Sequence, residues 1–453
     1  MSGAVAELTA RRLDVLLARE QVRGRLPSVV GGVVRDGSLV WTGSVNALDG
    51  FETGPDVQYR IGSITKTLVA VLVLQLRNEG ALDLNDRLDA HLPGIRYGDR
   101  TLRELLGHAS GMHSEPAGSW WERSPGVSFD ELARRLGDVE PAFAAGATFH
   151  YTNVAYALLG EVVARHRGTP WWQQVEERIL RPLDMNRTSY LPEAPAATGW
   201  SVHHFAGTLT EEPAHDAGAM APAGQVWSTV QDLAKYAAFL AAGNDDVLPR
   251  ATLEEMSTPQ SGARAASLAS AHGLGFQLAR GGSGLLFGHT GSMPGFLAGL
   301  FVDSVRRTGA VIMANATVGM RADGLAIDLL ATLEELEGTV PMPWRPTSDV
   351  PPEVEEILGL WHWGNTAFAF SWTGREVVVT SLARKAEVYR FVPEDGGTFR
   401  GTQGYHHGEQ LHVERNADGT INHLTCATFI YTRVPYDPAA PIPGGHPPRR
   451  PVT

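Results

Sequence analysis

The sequence predicts an α+β chain, an antiparallel sheet with helices packed against it, followed by a small all-β domain. Three observations carry this. A helical pattern and a hairpin pattern open the chain ahead of an apolar run, Leu68 to Leu76. Strand-like segments then return only late, after a long stretch of helical and loop patterns. Beyond a proline-rich break, short strand patterns alternate with Gly-containing turns.

From residue 5 to about 22, Leu8, Leu13, Leu16 and Leu17 recur at helical spacing, which predicts an amphipathic helix. Val29 to Val34, the turn pair Asp36-Gly37 and Leu39 to Val45 predict a β-hairpin. The run from Leu68 to Leu76 is too short for a bilayer and reads as a buried helix, which Gly80 can close in a left-handed conformation. Helical patterns follow over Leu82–Leu92, Thr101–Gly111, Val154–Arg167 and Pro170–Leu180, the last opened by a proline suited to a first helical turn. In Thr101–Gly111, His108 and Ser110 read as a tight turn after a helix, since the Gly-x-Ser-x-Gly elbow of an α/β-hydrolase is missing there.

Residues 192–226, rich in Pro, Ala, Gly and His, lack periodicity and predict long loops over a cleft. Ser228-Thr229-Val230-Gln231 then reads as a capping box opening a helix through Leu240. Leu285–Gly288, Phe296–Val302 and Gly309–Met313 are the late strands. Repeated prolines from Pro341 to Pro352 mark a linker over 341–352. The stretch 353–436 is expected to be a β domain and 437–453 a flexible tail.

Composition sets outer bounds. With 43% apolar and 19% charged residues the chain can bury a sizeable core as a soluble globular protein. A formal charge of −12 argues against nucleic acid and anionic membranes as partners. Cys426 is the single cysteine, so no internal disulfide forms, and its apolar surroundings make it a small core residue. Glu7, Arg11, Arg12, Asp14, Arg19 and Glu20 interrupt every apolar stretch near the start, leaving no signal-peptide core. A cytoplasmic location is the expectation. His203, His204 and His215 have no spaced partner set, so solvated loop histidines are expected rather than a metal site.

The chemistry centres on Arg60-Ile61-Gly62-Ser63-Ile64-Thr65-Lys66-Thr67. Residues three apart share a helix face, which brings the Lys66 amine within reach of the Ser63 hydroxyl. A hydroxyl becomes a good nucleophile once a base takes its proton, and a lysine serves if burial lowers its pKa. A serine there also simply caps a helix. Two further stretches bear on the choice: Tyr151-Thr152-Asn153 ahead of a helix, and His289-Thr290-Gly291 between strand patterns. Read singly, Tyr151 is a packed aromatic and Asn153 an N-cap.

Taken in order, Ser-x-x-Lys, Tyr-x-Asn and His-Thr-Gly resemble the serine β-lactamase and penicillin-binding protein superfamily. Within it they are most similar to the Tyr-x-Asn branch of class C β-lactamases, D-amino-acid peptidases and related esterases. The resemblance implies a β-lactamase/transpeptidase-like domain over 1–340, with a central antiparallel sheet and a helical subdomain. It also implies a small lipocalin-like β-barrel over 353–436. By resemblance, Ser63 forms an acyl-enzyme, Lys66 takes its proton, Tyr151 shuttles protons, and Asn153 holds Lys66 and a substrate amide. Backbone N–H groups of Ser63 and Ser292 would receive the oxyanion, with Thr290 and Gly291 beside the substrate. No cofactor and no metal are implied.

The family's third motif usually begins with lysine. Here it is His289, only partly charged near neutral pH, which weakens any anchor for a β-lactam carboxylate. No counterpart of the class A deacylating glutamate is apparent either. Together with the expected location and β-barrel, the pattern resembles penicillin-binding-protein-type thioesterases. These take a peptide with a C-terminal D-residue from the peptidyl carrier protein of a nonribosomal peptide synthetase and release a head-to-tail macrolactam. A stand-alone esterase or D-stereospecific peptidase is the alternative, and a silent binding protein a third. Trp120, Trp121, Trp200 and Trp227 are candidates for an apolar cleft rim, and Arg433 for a cleft contact from the β domain.

Overall fold

A computed structural model describes residues 3–137, 139–262, 270–282, 284–338, 343–347 and 349–435. The expected tail at 437–453 and part of the linker lie outside the described residues. The chain divides into two compact units, residues 1–339 and 340–453.

The first unit opens with α1 (Glu7–Gly24) and the hairpin β1 (Ser28–Arg35) and β2 (Ser38–Asn46). Asp36 and Gly37 both take positive φ, 47° and 79°, the pattern of a type I′ turn whose twist matches the flanking strands. Next come β3 (Tyr59–Arg60), a 3-10 turn (Gly62–Ile64) and α2 (Thr65–Asn78), closed where Gly80 stands at φ 73°. The helical wall contains α3 (Leu88–His91), α4 (Leu102–Leu106), α5 (Phe129–Leu136), α6 (Asn153–Arg167) and α7 (Trp171–Val175).

Residues 192–226 are not wholly irregular. They include the short hairpin β4 (Trp200–Val202) and β5 (Leu209–Glu211), and a buried 3-10 turn, Ala221–Ala223. After β6 (Trp227–Ser228) come α8 (Val230–Ala242) and α9 (Arg250–Met256). The cap of α8 is Thr229, which accepts from Asp232 N at 3.2 Å, one residue later than the expected Ser228 box. Strands β7 (Ser270–His272), β8 (Gln277–Arg280), β9 (Leu285–Met293), β10 (Phe296–Asp303) and β11 (Thr308–Ala314) lead into α10 (Ala322–Glu337).

Seven strands form one antiparallel sheet in the order β2-β1-β11-β10-β9-β8-β7. Period-2 alternation sends Val30, Val34, Val311 and Met313 into the core shared with α2 and α8. Val29, Val33, Ala310 and Ile312 go into the core under α1 and α10. Both faces are covered, which is why these strands read as nearly unbroken apolar runs. Helix α2 is buried from Thr65 to Leu76, so each of its Leu and Val side chains contributes about 1.5–3 kcal/mol relative to exposure. The nucleophile segment thereby leads straight into a buried helix.

The second unit begins with α11 (Pro352–Glu355), so the prolines at its start open a helix rather than only a linker. Eight strands follow in sequential antiparallel order: β12 (Gly359–Trp363), β13 (Thr366–Trp372), β14 (Val377–Ser381), β15 (Ala386–Glu394), β16 (Thr398–Gln403), β17 (Gln410–Arg415), β18 (Ile421–Cys426) and β19 (Phe429–Tyr431). The first and last strands meet where His362 N donates to Thr432 O at 2.7 Å and Thr432 N to His362 O at 2.9 Å, nearly closing a lipocalin-like barrel. Its interior is packed with Trp361, Phe368, Phe370, Phe391, Phe399 and Tyr431, and Cys426 is buried among them. Among the described residues no helix is long and apolar enough to cross a membrane.

Candidate active site

Ser63 lies in the 3-10 turn that leads into α2, where strand β9 crosses at backbone distance. Two glycines permit this crossing. Gly62 has φ 53°, and a Cβ there would stand 2.5 Å from Ser292 N. A Cβ on Gly291 would stand 1.9 Å from Ile61 O. The turn that carries the nucleophile and the backbone of Ser292 therefore approach to a distance that glycine at these two positions permits.

Lys66, one turn on, is fully buried. Its Nζ lies 2.9 Å from Ser63 Oγ and donates to Ala223 O at 2.6 Å. Tyr151 and Tyr156 face it, with ring centroids 5.1 and 5.7 Å from Nζ. Burial brings the Lys66 pKa down to about 7, against the opposing charges of Glu115 and Glu122. Near neutral pH a substantial share of the amine is thus free to accept the serine proton.

Tyr151 is half-buried on the turn before α6. Burial holds its phenol above the ordinary value, while a hydrogen bond to the Ser63 hydroxyl acts the other way. Its ring stacks on His108 at 4.2 Å and 28°.

Asn153 differs from the expectation. Its Nδ2 donates to Glu115 Oε1 at 2.6 Å, and no hydrogen bond to Lys66 forms. A carboxylate only accepts, so Glu115 takes one of the two Nδ2 hydrogens. Nor is Asn153 the cap of α6: Thr152 is, accepting from Ala155 N at 3.3 Å.

His289 is buried and neutral. Burial, followed by the nearness of Lys66, holds it well below the usual imidazole range, so even the partial charge expected from sequence is absent. Its Nδ1 donates to Thr290 O at 2.5 Å, and Nε2 is buried with no partner among the described residues. The Thr290 hydroxyl is engaged by Gln277 Nε2 at 3.0 Å. Thr290, Gly291 and Ser292 line a cavity of about 440 Å³, together with Phe149, His272 and Gln277.

The expected rim separates into different roles. Trp227 is 2% exposed and packs edge-on against Phe296 at 4.9 Å, so it is core rather than rim. Trp121 is also buried, with Nε1 donating to Glu115 Oε2 at 2.6 Å. Trp200 is half-buried in β4. Trp120 is 60% exposed and carries the Arg123 guanidinium 3.9 Å above its ring. Arg433 is engaged within its own unit: its guanidinium donates to the carbonyls of Glu356, Leu358 and Leu360 and lies 3.9 Å from the Trp361 ring. Those contacts tie its guanidinium to the barrel.

Sequence reasoning missed Glu115, Ala223 and Gln277, and took His108 only for a turn. Ala223 acts through a carbonyl, which carries no sequence signal. His108 carries one faint mark, a non-glycine residue at a helix end, where it takes φ 55°. His203 and His204 are exposed at the β4–β5 tip.

The description "Beta-lactamase" fits residues 6–333, and residues 350–433 match a domain of unknown function, DUF7586. Beta-lactamase-like protein 2 of Dictyostelium discoideum is 28% identical over 281 residues, 55% of this chain and 48% of that protein. The chain thus spans about half the length of this curated relative. A D-stereospecific amidohydrolase from Streptomyces sp. superimposes with TM-score 0.61 at 27% identity, covering 73% of this chain and 99% of that one. SurE, which has also been solved with D-Leu, superimposes with TM-score 0.59 at 23% identity, covering 94% of this chain and 99% of its own. The motif geometry and the match over residues 6–333 lead to one conclusion: the chain belongs to the beta-lactamase and penicillin-binding-protein family of serine hydrolases.

Proposed function

We propose that the chain is a serine acyltransferase that takes a peptide from a carrier-protein thioester onto Ser63 and releases it as a head-to-tail macrolactam. In this reading neutral Lys66 accepts the Ser63 proton as Oγ attacks the thioester carbonyl. Backbone N–H groups of Ser63 and Ser292 receive the oxyanion, the C–S bond breaks, and the proton held by Lys66 passes through the Tyr151 phenol to the departing sulfur. The peptide's own amine then attacks the acyl-serine carbonyl, the ester C–Oγ bond breaks, and the proton the amine loses returns to Ser63 Oγ by way of Tyr151 and Lys66; tethering favours this amine over an intermolecular one.

The observation that carries the reading is the burial of His289 at the third motif, which disfavours its charged form. A site without a fixed cation there has little to hold a substrate carboxylate, and favours acyl donors with a neutral leaving side such as thioesters. SurE, whose fold this chain shares over 94% of its length, has been solved with D-Leu, which is in keeping with a substrate that ends in a D-residue. A second reading, hydrolysis of D-aminoacyl amides or esters, is favoured by the 27% identity to the D-stereospecific amidohydrolase.

The test offers a peptidyl thioester with a free N-terminus and a C-terminal D-residue, and analyses the products by mass. Cyclic product supports the first reading and linear acid the second. Failure to acylate Ser63 sinks both, and Ser63→Ala should abolish every turnover signal.

A further inference from the structure

Tyr151 is gripped from both sides by a single residue. The amide of His150 donates to His108 O at 2.8 Å, and the amide of Thr152 donates to His108 Nδ1 at 3.1 Å. Between these two bonds the Tyr151 ring lies on the imidazole, centroids 4.2 Å apart and planes at 28°. His108 is itself fixed. It follows α4 at φ 55°, its N–H donates to Leu105 O at 3.3 Å, and only 1% of its surface is exposed. Left-handed backbone at a non-glycine residue persists where the surroundings hold it, and such strain collects at functional sites.

The ring's protonation state follows from its partner. An amide N–H only donates, so Nδ1 is unprotonated, and burial favours the neutral ring with its proton on Nε2. Of the common side chains, asparagine also offers an acceptor near the Nδ1 position and tolerates positive φ, but it has no ring face.

We propose that His108 is the positioning residue for the Tyr151 phenol, holding it in line with Ser63 through the amides on either side and the face of its ring. This rests on the reading that Tyr151 protonates the leaving group. Without the Nδ1 acceptor the buried Thr152 N–H loses its partner and the turn carrying Tyr151 shifts, even where the fold survives. A displacement of that kind costs most where the phenol must hand over a proton in the transition state.

The test compares one D-phenylalanyl group on two leaving groups, the p-nitrophenyl ester, which departs as a stable anion, and the methyl ester, which needs a proton. In Tyr151→Phe the methyl ester should lose on the order of 100-fold more kcat/KM than the p-nitrophenyl ester. His108→Phe should show most of that differential loss, and His108→Asn should recover a large part of it. Because each value is a ratio within one preparation, a partly folded variant does not imitate it. Equal losses on both esters in His108→Phe, or a His108→Asn variant as impaired as His108→Phe, would overturn the proposal while leaving the Ser63 chemistry standing. No leaving-group dependence in Tyr151→Phe would overturn the role of Tyr151 itself, and this inference with it.

Discussion

Gly62 and Ser292 stand so close that a single added methyl on Gly62 would lie 2.5 Å from the Ser292 nitrogen. This contact sets the spacing between the nucleophile's turn and the strand that faces it. It depends on Gly62 twice, for its missing Cβ and for its φ of 53°.

Gly62→Ala should therefore act on rate as well as stability. The left-handed backbone costs about 1–2 kcal/mol, visible in denaturant melts. Pushing β9 away should displace an oxyanion donor and lower kcat by about 10²–10³-fold. Near-normal kcat in a stable Gly62→Ala protein would show that the two backbones can separate without harm.

Lys66 predicts a pH profile. Its pKa of about 7 in the folded state means that acylation should rise with pH through that value, as the amine becomes neutral. Single-turnover acylation across the pH range measures this. Lys66→Arg, which stays charged, should be silent throughout.

The same depression makes a stability prediction with a definite sign. The unfolded chain binds the Lys66 proton up to its ordinary value of about 10.4, whereas the folded chain releases it near 7. Between those values the unfolded state holds more protons, so this residue's contribution rises with pH and the full penalty applies below about 7. Lys66→Met should raise Tm at neutral pH and flatten the profile from there upward. An unchanged profile would mean that the amine is not desolvated as the structure has it.

His289→Lys should introduce the cation that the third motif lacks. Acylation by carboxylate-bearing donors, such as penicillins, should improve by about tenfold over the native chain. Its charge beside Lys66 should also move the acid limb of the profile to lower pH, since like charges disfavour protonation.

Trp227→Ala tests a correction rather than a mechanism. As a core residue against Phe296 it should cost about 3–5 kcal/mol, with KM little altered in whatever protein remains folded. A rim residue would give the opposite pattern.

What could be read from sequence was what local chemistry writes. Asp36-Gly37 demanded a hairpin turn, the apolar run after Lys66 demanded a buried helix, and Ser63 with Lys66 needed only helical spacing to meet. What could not be read was set by partners far along the chain. Asn153 turned toward Glu115 because a carboxylate reached it from another loop, and Trp227 went inward because Phe296 packs there. The partners of Arg433 within its own unit, Trp361 and three carbonyls, were likewise set by distant parts of the chain. Cap positions slipped by one, from Ser228 to Thr229 and from Asn153 to Thr152, because either neighbour has a suitable oxygen and only the backbone geometry chooses.

The acceptor opposite the Lys66 amine belongs to the peptide bond of Ala223, not to any side chain. Random codon change can therefore swap the residue there without deleting the contact, provided the newcomer fits a buried niche the size of a methyl group. Evolutionary drift would be tolerated by chemistry and policed by volume, so variation at position 223 should run among the smallest residues, with polarity nearly free.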